Sequence, residues 1–437
     1  MKVIKIPILI IIIGIVSMTL IDTAISSISI YTKDLGKSQL YFYSFFLMAA
    51  GYSVGQYFVL NYVKKRIELI KKDNIIRILH TSVSACQILL VSLIIIIIIQ
   101  MSYLGMYSTI ILKIIVWINF ILSSILFGYF GIRLLLWEKL NRNSILILFA
   151  IGILSLSVTS IITILYVTNQ LAGQRGMDYI YPMRSALILV ANATNFFSIS
   201  HLIFSILSFI LMWIATVALF NHFSKEIGRV KYWVMVLVPL LYFLSQFQSI
   251  LPPLFLEFRE ADPVLYSIIH TLFYNISKPI GGILFGVAIW SIAKKLKKET
   301  IRQYITVSAC GIILYFTVNQ TEILTLIPYP PFGIPTICFI GLSSYLVLIG
   351  LYSASISIST DTELKRAVRK SIPEKYNLLG NIASAKEIQR IEAQTIKITS
   401  TISDKITKET GIQPSINEDD IKNYIKEIME EMKKKPN

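Results

Sequence analysis

The 437-residue sequence has little charge: only 15% of its residues are Asp, Glu, Lys or Arg, whereas 55% are hydrophobic. A soluble protein of this length would need charged side chains over the exterior of two or three domains. The 41 basic and 25 acidic residues give a net charge of +16, but the high apolar fraction excludes a soluble nucleic-acid-binding protein. It also excludes disorder over most of the chain. The composition therefore indicates a multi-spanning membrane protein.

Residue patterns that carry catalysis are also absent. The three cysteines, Cys86, Cys310 and Cys338, lie in apolar stretches and form neither a CxxC pair nor a disulfide framework. The four histidines are far apart in the sequence, which excludes a local ligand set such as HExxH. No GxSxG, P-loop or dinucleotide fingerprint occurs. We therefore predict no catalytic residue, no metal site and no cofactor.

Apolar stretches of about 20 residues are the dominant feature, and a helix of that length crosses a lipid bilayer. Because the backbone in lipid must satisfy its own hydrogen bonds, these stretches predict helices in spite of their many isoleucines. The predicted fold class is all-α, a polytopic membrane helix bundle of about ten transmembrane helices with a short helical cytoplasmic tail. The predicted spans are Ile6–Ile25, Leu40–Val63, Ile78–Gln100, Ile110–Leu136, Ser144–Thr168, Ile199–Asn221, Tyr232–Leu251, Val264–Ala293, Tyr304–Ile327 and Ile334–Ile358.

The distribution of basic residues predicts the orientation. The segments on one side of the predicted spans carry 19 lysines and arginines, and the loops on the other side carry five. The positive-inside rule then places both termini in the cytoplasm. A second interpretation concerns the first span, since Lys2 and Lys5 followed by residues 6–25 also fit a cleaved signal peptide. Cleavage would leave nine helices and an external N-terminus.

Residues 1–358 are predicted to form the membrane bundle, and residues 359–437 the tail. The longest external loop, Asn169–Ser198, is expected to hold an interfacial or re-entrant helix. The pairs Gly51–Gly55 and Gly282–Gly286 have the GxxxG spacing that lets helices approach closely, and we expect them to pack inside the bundle. Asp22 and Lys113 lie near the outer ends of their spans and are expected at the water interface.

Lys278 is predicted near the middle of the eighth span, and an ionisable residue at that depth is a candidate functional group. Pro279 is expected to kink the helix beside it. Glu322, on a polar stripe of the next span, is its natural partner if the two spans are antiparallel neighbours. Two interpretations remain open, a polar pair that fixes helix register and a ligand or ion site. The candidate site residues on the two stripes are Lys278, Glu322, Asn275, Asn319, His270, Tyr274 and Tyr315.

The tail carries three signals. Basic residues just inside the membrane are placed to meet anionic lipid headgroups. Apolar residues then repeat at spacings of three and four, a short coiled-coil-like seam that ends before Gly411 and Pro414. A last amphipathic helix could pack on this seam or dock a cytoplasmic protein. The basic residues are Lys365, Arg366, Arg369 and Lys370; the seam is Ile388, Ile391, Thr395, Ile398 and Ile402; the last apolar face is Ile421, Tyr424, Ile425, Ile428, Met429 and Met432.

The segments 352–359 and 364–371, with the element Gly411–Ser415, resemble multi-spanning membrane proteins of ammonia-oxidising archaea. This family is functionally uncharacterised. The resemblance covers about a tenth of the chain. It implies an archaeal plasma membrane and carries over no catalytic or binding residue.

Two functions are favoured after these exclusions, and a membrane enzyme that uses scattered residues, for which no motif speaks, is a third. The first is a sensor-like or interaction module that couples an external or intramembrane input to the helical tail. The alternative is a secondary transporter or channel with a polar site around Lys278 and Glu322. No internal repeat of the kind found in many transporters is visible, which favours the first function.

Overall fold

The computed structural model describes helices and one small strand pair. The described residues are 8–31, 39–68, 74–141, 144–172, 179–180, 196–221, 228–245, 261–262, 265, 269, 276–294, 299–320, 324, 329–360 and 378–410. The helices are α1 (Ile8–Tyr31), α2 (Gln39–Ile67), α3 (Asn74–Leu104), α4 (Thr109–Asn141), α5 (Ser144–Ala172), α6 (Phe196–Phe220), α7 (Arg229–Ser245), α8 (Ser277–Lys294), α9 (Glu299–Val318), α10 (Ile334–Ile337), α11 (Ile340–Thr360) and α12 (Leu378–Thr410). The strands are β1 (Tyr107–Ser108) and β2 (Tyr179–Ile180).

Seven stretches within the described residues are long and apolar enough to cross a membrane: Ile8–Ser26, Asn74–Leu104, Thr109–Lys139, Ser144–Leu171, Phe196–Phe220, Glu299–Val318 and Ile334–Ile358. The chain is therefore a multi-pass helical membrane protein, and the predicted membrane helix bundle is confirmed. The total of ten spans is not. The other three predicted spans correspond to α2, to the 17-residue α7 and to the 18-residue α8.

The chain divides into two compact units, of which residues 1–135 and 144–354 form the first. Most of the span Ile334–Ile358 belongs to this unit, and the most apolar 18 residues of the span are all buried. We call α11, which forms most of this span, the central helix. By contrast, only 28% of the most apolar part of the span Asn74–Leu104 is buried. The mean hydropathy of this outer span is 2.8, higher than the 2.0 of Ile334–Ile358. A helix surrounded by other helices can carry more polar side chains because they meet protein rather than lipid.

Glycines bring the helices of this unit close together. A Cβ atom added to Gly282 would lie 2.6 Å from the Cβ of Phe316, and one added to Gly286 would lie 2.9 Å from the carbonyl oxygen of Ala309. The corresponding atom on Gly55 would lie 3.1 Å from Ile15. Both GxxxG pairs therefore face a neighbouring helix of the same chain, as the sequence predicts. The contact of α8 with α9 also confirms that the two are neighbours.

The connection before α4 pairs with the loop that follows α5. Strands β1 and β2 are antiparallel, with Tyr107 opposite Ile180 and Ser108 opposite Tyr179. The ring of Tyr107 also stacks on Tyr329 at a centroid distance of 6.3 Å. In the described part of the loop, residues 179 and 180 thus form a strand, and the apolar stretch for which an interfacial or re-entrant helix is expected lies outside the described residues.

The second unit contains residues 136–143 and 355–437. Helix α12 buries Ile382, Ala385 and Ile388, and the Gln389 side-chain oxygen accepts a hydrogen bond of 3.2 Å from the buried Trp137 indole. The rest of the predicted seam is not covered: Ile391, Ile398 and Ile402 are exposed by 42%, 60% and 51%.

Helix α12 ends at Thr410, directly before the predicted break at Gly411. The described residues of the tail do not extend past this point. The basic residues Lys365, Arg366, Arg369 and Lys370 and the predicted apolar face from Ile421 to Met432 lie outside the described residues.

Candidate functional site

The seven predicted site residues fall into two groups. Lys278, Tyr315 and Asn319 are described by the structure. The other four, His270, Tyr274, Asn275 and Glu322, lie outside the described residues. The predicted pair of Lys278 with Glu322 therefore stays a prediction.

Lys278 lies in the first turn of α8, whose described residues begin at Ser277. Its side chain is only 7% exposed, so it is buried as predicted for a residue inside the bundle. The predicted position in the middle of a kinked helix is wrong for the described helix. Pro279 is the third residue of α8, where a helical N–H needs no intrahelical partner and proline is tolerated without a kink.

Tyr315 belongs to a group of hydroxyls at the centre of the bundle, which we call the hydroxyl cluster: Ser123, Ser160, Tyr315 and Ser344. The Oγ atoms of Ser123 and Ser344 are 2.7 Å apart. Ser160 Oγ lies 3.4 Å from Ser123 Oγ and 3.5 Å from the Tyr315 hydroxyl. The cluster thereby joins α4, α5, α9 and α11. All four side chains are at most 1% exposed.

A second set of polar contacts links α2 and α3 to the residues just before α11 and to α11 itself. The hydroxyl of Tyr52 donates a 2.7 Å hydrogen bond to Gln87 Oε1, and Gln87 Nε2 donates to the Cys338 carbonyl oxygen at 3.4 Å. Two turns of α3 away, His80 Nδ1 lies 3.0 Å from the hydroxyl of Tyr345. The central helix thus has polar contacts with α3 as well as with the helices of the hydroxyl cluster.

Asp22 forms a third polar contact, at the turn that precedes the central helix. One carboxylate oxygen, Oδ2, accepts a 3.0 Å hydrogen bond from the Gly333 backbone N–H and a 2.5 Å bond from the Thr336 hydroxyl. The side chain is 0% exposed. The expected contact of Asp22 with water is therefore wrong, because a segment more than 300 residues later in the sequence covers it.

Backbone conformation explains how this turn receives a carboxylate. Gly333 has φ of +87°, a left-handed conformation that favours glycine. It immediately precedes the four-residue helix α10 and turns its N–H toward Asp22. Sequence reasoning missed this contact, although an Asp in one apolar span and a glycine–proline turn beside another were both visible.

Among the described residues, the buried polar side chains are hydroxyls and amides, together with the Asp22 carboxylate, Lys278 and His201. Hydroxyls and amides can fix helix register and orient a ligand, but they are poor sole ligands for a divalent metal ion. Within the described ranges, no group of three or more His, Cys, Asp or Glu side chains is placed to hold a metal ion. The serines of the cluster were not predicted as site residues, because a serine in an apolar span looks the same whether it faces lipid or protein.

No family model matches the chain, and no curated protein or solved structure matches it. The resemblance to membrane proteins of ammonia-oxidising archaea stays a prediction.

Proposed function

We propose that the protein is a plasma-membrane relay, in which the helix bundle senses an external or intramembrane input and the cytoplasmic tail presents the output to a partner. The cytoplasmic position of the tail rests on the distribution of basic residues in the sequence. The resemblance to archaeal proteins supports placing the chain in an archaeal plasma membrane.

One observation carries this proposal, the two-part character of α12. Its first half is anchored in the second unit through Ile382, Ile388 and the bond from Trp137 to Gln389. Its second half exposes Ile398 and Ile402. Exposed apolar side chains at regular spacing on a helix are typical of a surface that another molecule covers.

Continuous helices provide the path for the signal. Helices α4 and α11 each contribute residues to both compact units. In the first unit the two helices are joined by the hydrogen bond between Ser123 and Ser344. A change in the packing of α4 against α11 would therefore be carried along both helices to Trp137 and the start of the tail.

Hydrogen exchange of the full-length protein in lipid nanodiscs tests the relay. The variant Ser344→Ala removes the shortest bond of the hydroxyl cluster, far in sequence from α12. The relay predicts a change in the amide protection of residues 382–389, because their anchor on α4 responds to the packing of the bundle. Ser92→Ala is the matched control, since Ser92 is exposed and bonds only to the carbonyl of its own helix.

One outcome of the hydrogen-exchange experiment would reject the relay. If Ser344→Ala lowers the stability of the bundle but leaves the protection of residues 382–389 equal to that of the wild type, the two units are uncoupled and the relay is rejected. Gln389→Leu provides a positive reference for loosening the anchor directly.

The alternative function, a transporter or channel around Lys278 and Glu322, is supported by the burial of Lys278. The two functions differ in whether they require the tail. A transporter that ends at residue 358 should keep its flux of Na⁺ or H⁺ in proteoliposomes, and Lys278→Met should abolish that flux. A relay should show no flux with either chain.

A further inference from the structure

Asp22 is a buried carboxylate, which is negatively charged when ionised. Its two side-chain oxygens have different surroundings. Oδ2 accepts hydrogen bonds from Gly333 and Thr336. Oδ1 is fully buried and has no hydrogen-bond partner among the described residues. A buried carboxylate oxygen without a donor is costly, since a carboxylate can only accept.

The described contacts of Asp22 do not include a counter-charge. They are the hydrogen bonds from Thr336 and Gly333, including one from the Thr336 backbone, and no Lys or Arg is among them. Met18 of α1 contacts Gly51 of α2. Asp22 is one helical turn after Met18 and therefore lies beside the part of α2 just before Gly51. The basic residues of α2, Lys64 to Arg66, are in its last turn, about 25 Å further along at 1.5 Å per residue.

The other titratable groups around Asp22 are not basic. The helices packed against α1 are α2, α9 and α10. They and the residue after α10 bring the buried side chains Tyr41, Tyr52, Cys310, Tyr315 and Cys338, which are all phenols or thiols. The charged side chains of α9, Glu299 and Arg302, lie in its first turn. None of these groups supplies the positive charge that the buried carboxylate lacks.

We propose that Asp22 is a binding site for a monovalent cation, H⁺ or Na⁺, inside the membrane bundle, with Oδ1 as the binding atom. Either cation removes the net charge of the carboxylate and occupies the oxygen that has no donor. Hydroxyl and backbone donors hold Oδ2 in place, so the carboxylate is oriented before the cation arrives. This proposal stands on the geometry at α1 and α10 and is independent of the relay through the tail.

Two measurements on the full-length protein in nanodiscs distinguish the two cations. A Na⁺ site predicts that Tm rises with the logarithm of the NaCl concentration, at constant ionic strength set by choline chloride and at fixed pH. A proton site predicts an infrared carbonyl band of a protonated carboxyl group at neutral pH, where exposed acids are ionised. The band should shift when H₂O is replaced by D₂O.

Variants assign the signal to this residue. Asp22→Asn should abolish the Na⁺ dependence or the infrared band, and Asp262→Asn, at an exposed aspartate, should change neither. If Asp22→Asn does not fold, Thr336→Val keeps the carboxyl group and removes one donor from Oδ2. It should then shift the infrared band or weaken the Na⁺ dependence.

Three results would overturn the proposal. The first is a wild-type protein with neither a Na⁺-dependent Tm nor a protonated carboxyl band, which would mean that the carboxylate is ionised without a cation. The second is a signal that survives in a folded Asp22→Asn protein. The third, when only Thr336→Val folds, is a signal that this variant leaves unchanged.

Discussion

The Oγ atoms of Ser123 and Ser344 are 2.7 Å apart, and neither serine side chain is exposed. This contact joins α4 to the central helix α11, and Ser160 and Tyr315 extend it to α5 and α9. A polar cluster inside the bundle is thus built by four side chains from four helices.

Replacement of Ser344 by alanine should destabilise the bundle. The Ser344 hydroxyl also donates to the Ile340 carbonyl oxygen at 3.0 Å, so the variant changes two bonds and leaves Ser123 with the longer contact to Ser160. We expect a loss of about 0.5–2 kcal/mol, the range found for hydrogen bonds between membrane helices. Unfolding of the purified protein in mixed micelles measures it. A loss no larger than that of Ser92→Ala would show that the cluster does not stabilise the fold.

Gly350→Ala should be far more disruptive. An added Cβ atom would lie 2.6 Å from both the Ser308 backbone nitrogen and the Tyr304 carbonyl oxygen. Backbone atoms cannot rotate away, so α9 and α11 would have to separate, at a cost of about 1–3 kcal/mol or more. Gly14→Ala is the matched control because nothing lies within 4 Å of its added Cβ atom. Equal thermal stability of the two variants would contradict the close packing of α9 on α11.

Tyr52 and Gln87 should be energetically coupled. Tyr52→Phe leaves Gln87 Oε1 without its buried donor, and Gln87→Leu leaves the Tyr52 hydroxyl without its acceptor. The double variant removes both groups and should be less destabilised than the sum of the two single variants, by about 0.5–2 kcal/mol. A double-mutant cycle on unfolding free energies measures the difference. Simple additivity would mean that the 2.7 Å bond has no net effect on stability.

Alkaline pH should weaken the strand pair outside the membrane. Burial raises the pKa of Tyr107 well above its usual value, and burial also raises the pKa of Tyr329, on which it stacks. A raised folded-state pKa gives stability that is present below about pH 10, the unfolded value, and is lost as the pH rises through the folded value. Tyrosinate absorbance should show a late-ionising tyrosine in the wild type that disappears in Tyr107→Phe. Identical titrations would exclude the buried position of Tyr107.

The helical membrane class followed from composition and from the length of the apolar stretches, because lipid leaves the backbone few alternatives. Which face of each helix meets protein did not follow. Ser92 and Ser123 both lie in apolar spans, yet Ser92 is exposed and Ser123 is buried in the cluster. Asp22 is a sharper case, since its donors lie 311 and 314 residues away in the sequence. Local spacing holds no information on such a contact.

The polar stripe on the ninth predicted span was informative in part. It singled out Tyr315, which the structure places in the hydroxyl cluster, but it paired this residue with the stripe around Lys278 rather than with serines of α4 and α5. The periodicity of one helix defines a face, and the identity of the helix opposite that face depends on packing of the whole bundle.

The complete burial of the span Ile334–Ile358 has a consequence for biosynthesis. During translation this helix leaves the ribosome after the six other described stretches that can span a membrane, yet other parts of the chain bury it. The earlier helices therefore enter the bilayer before the helix that they surround, and they complete their packing around it after it has been inserted. The final native arrangement, including the partners of Ser123, Gln87 and Asp22, can form only once this late segment has been inserted.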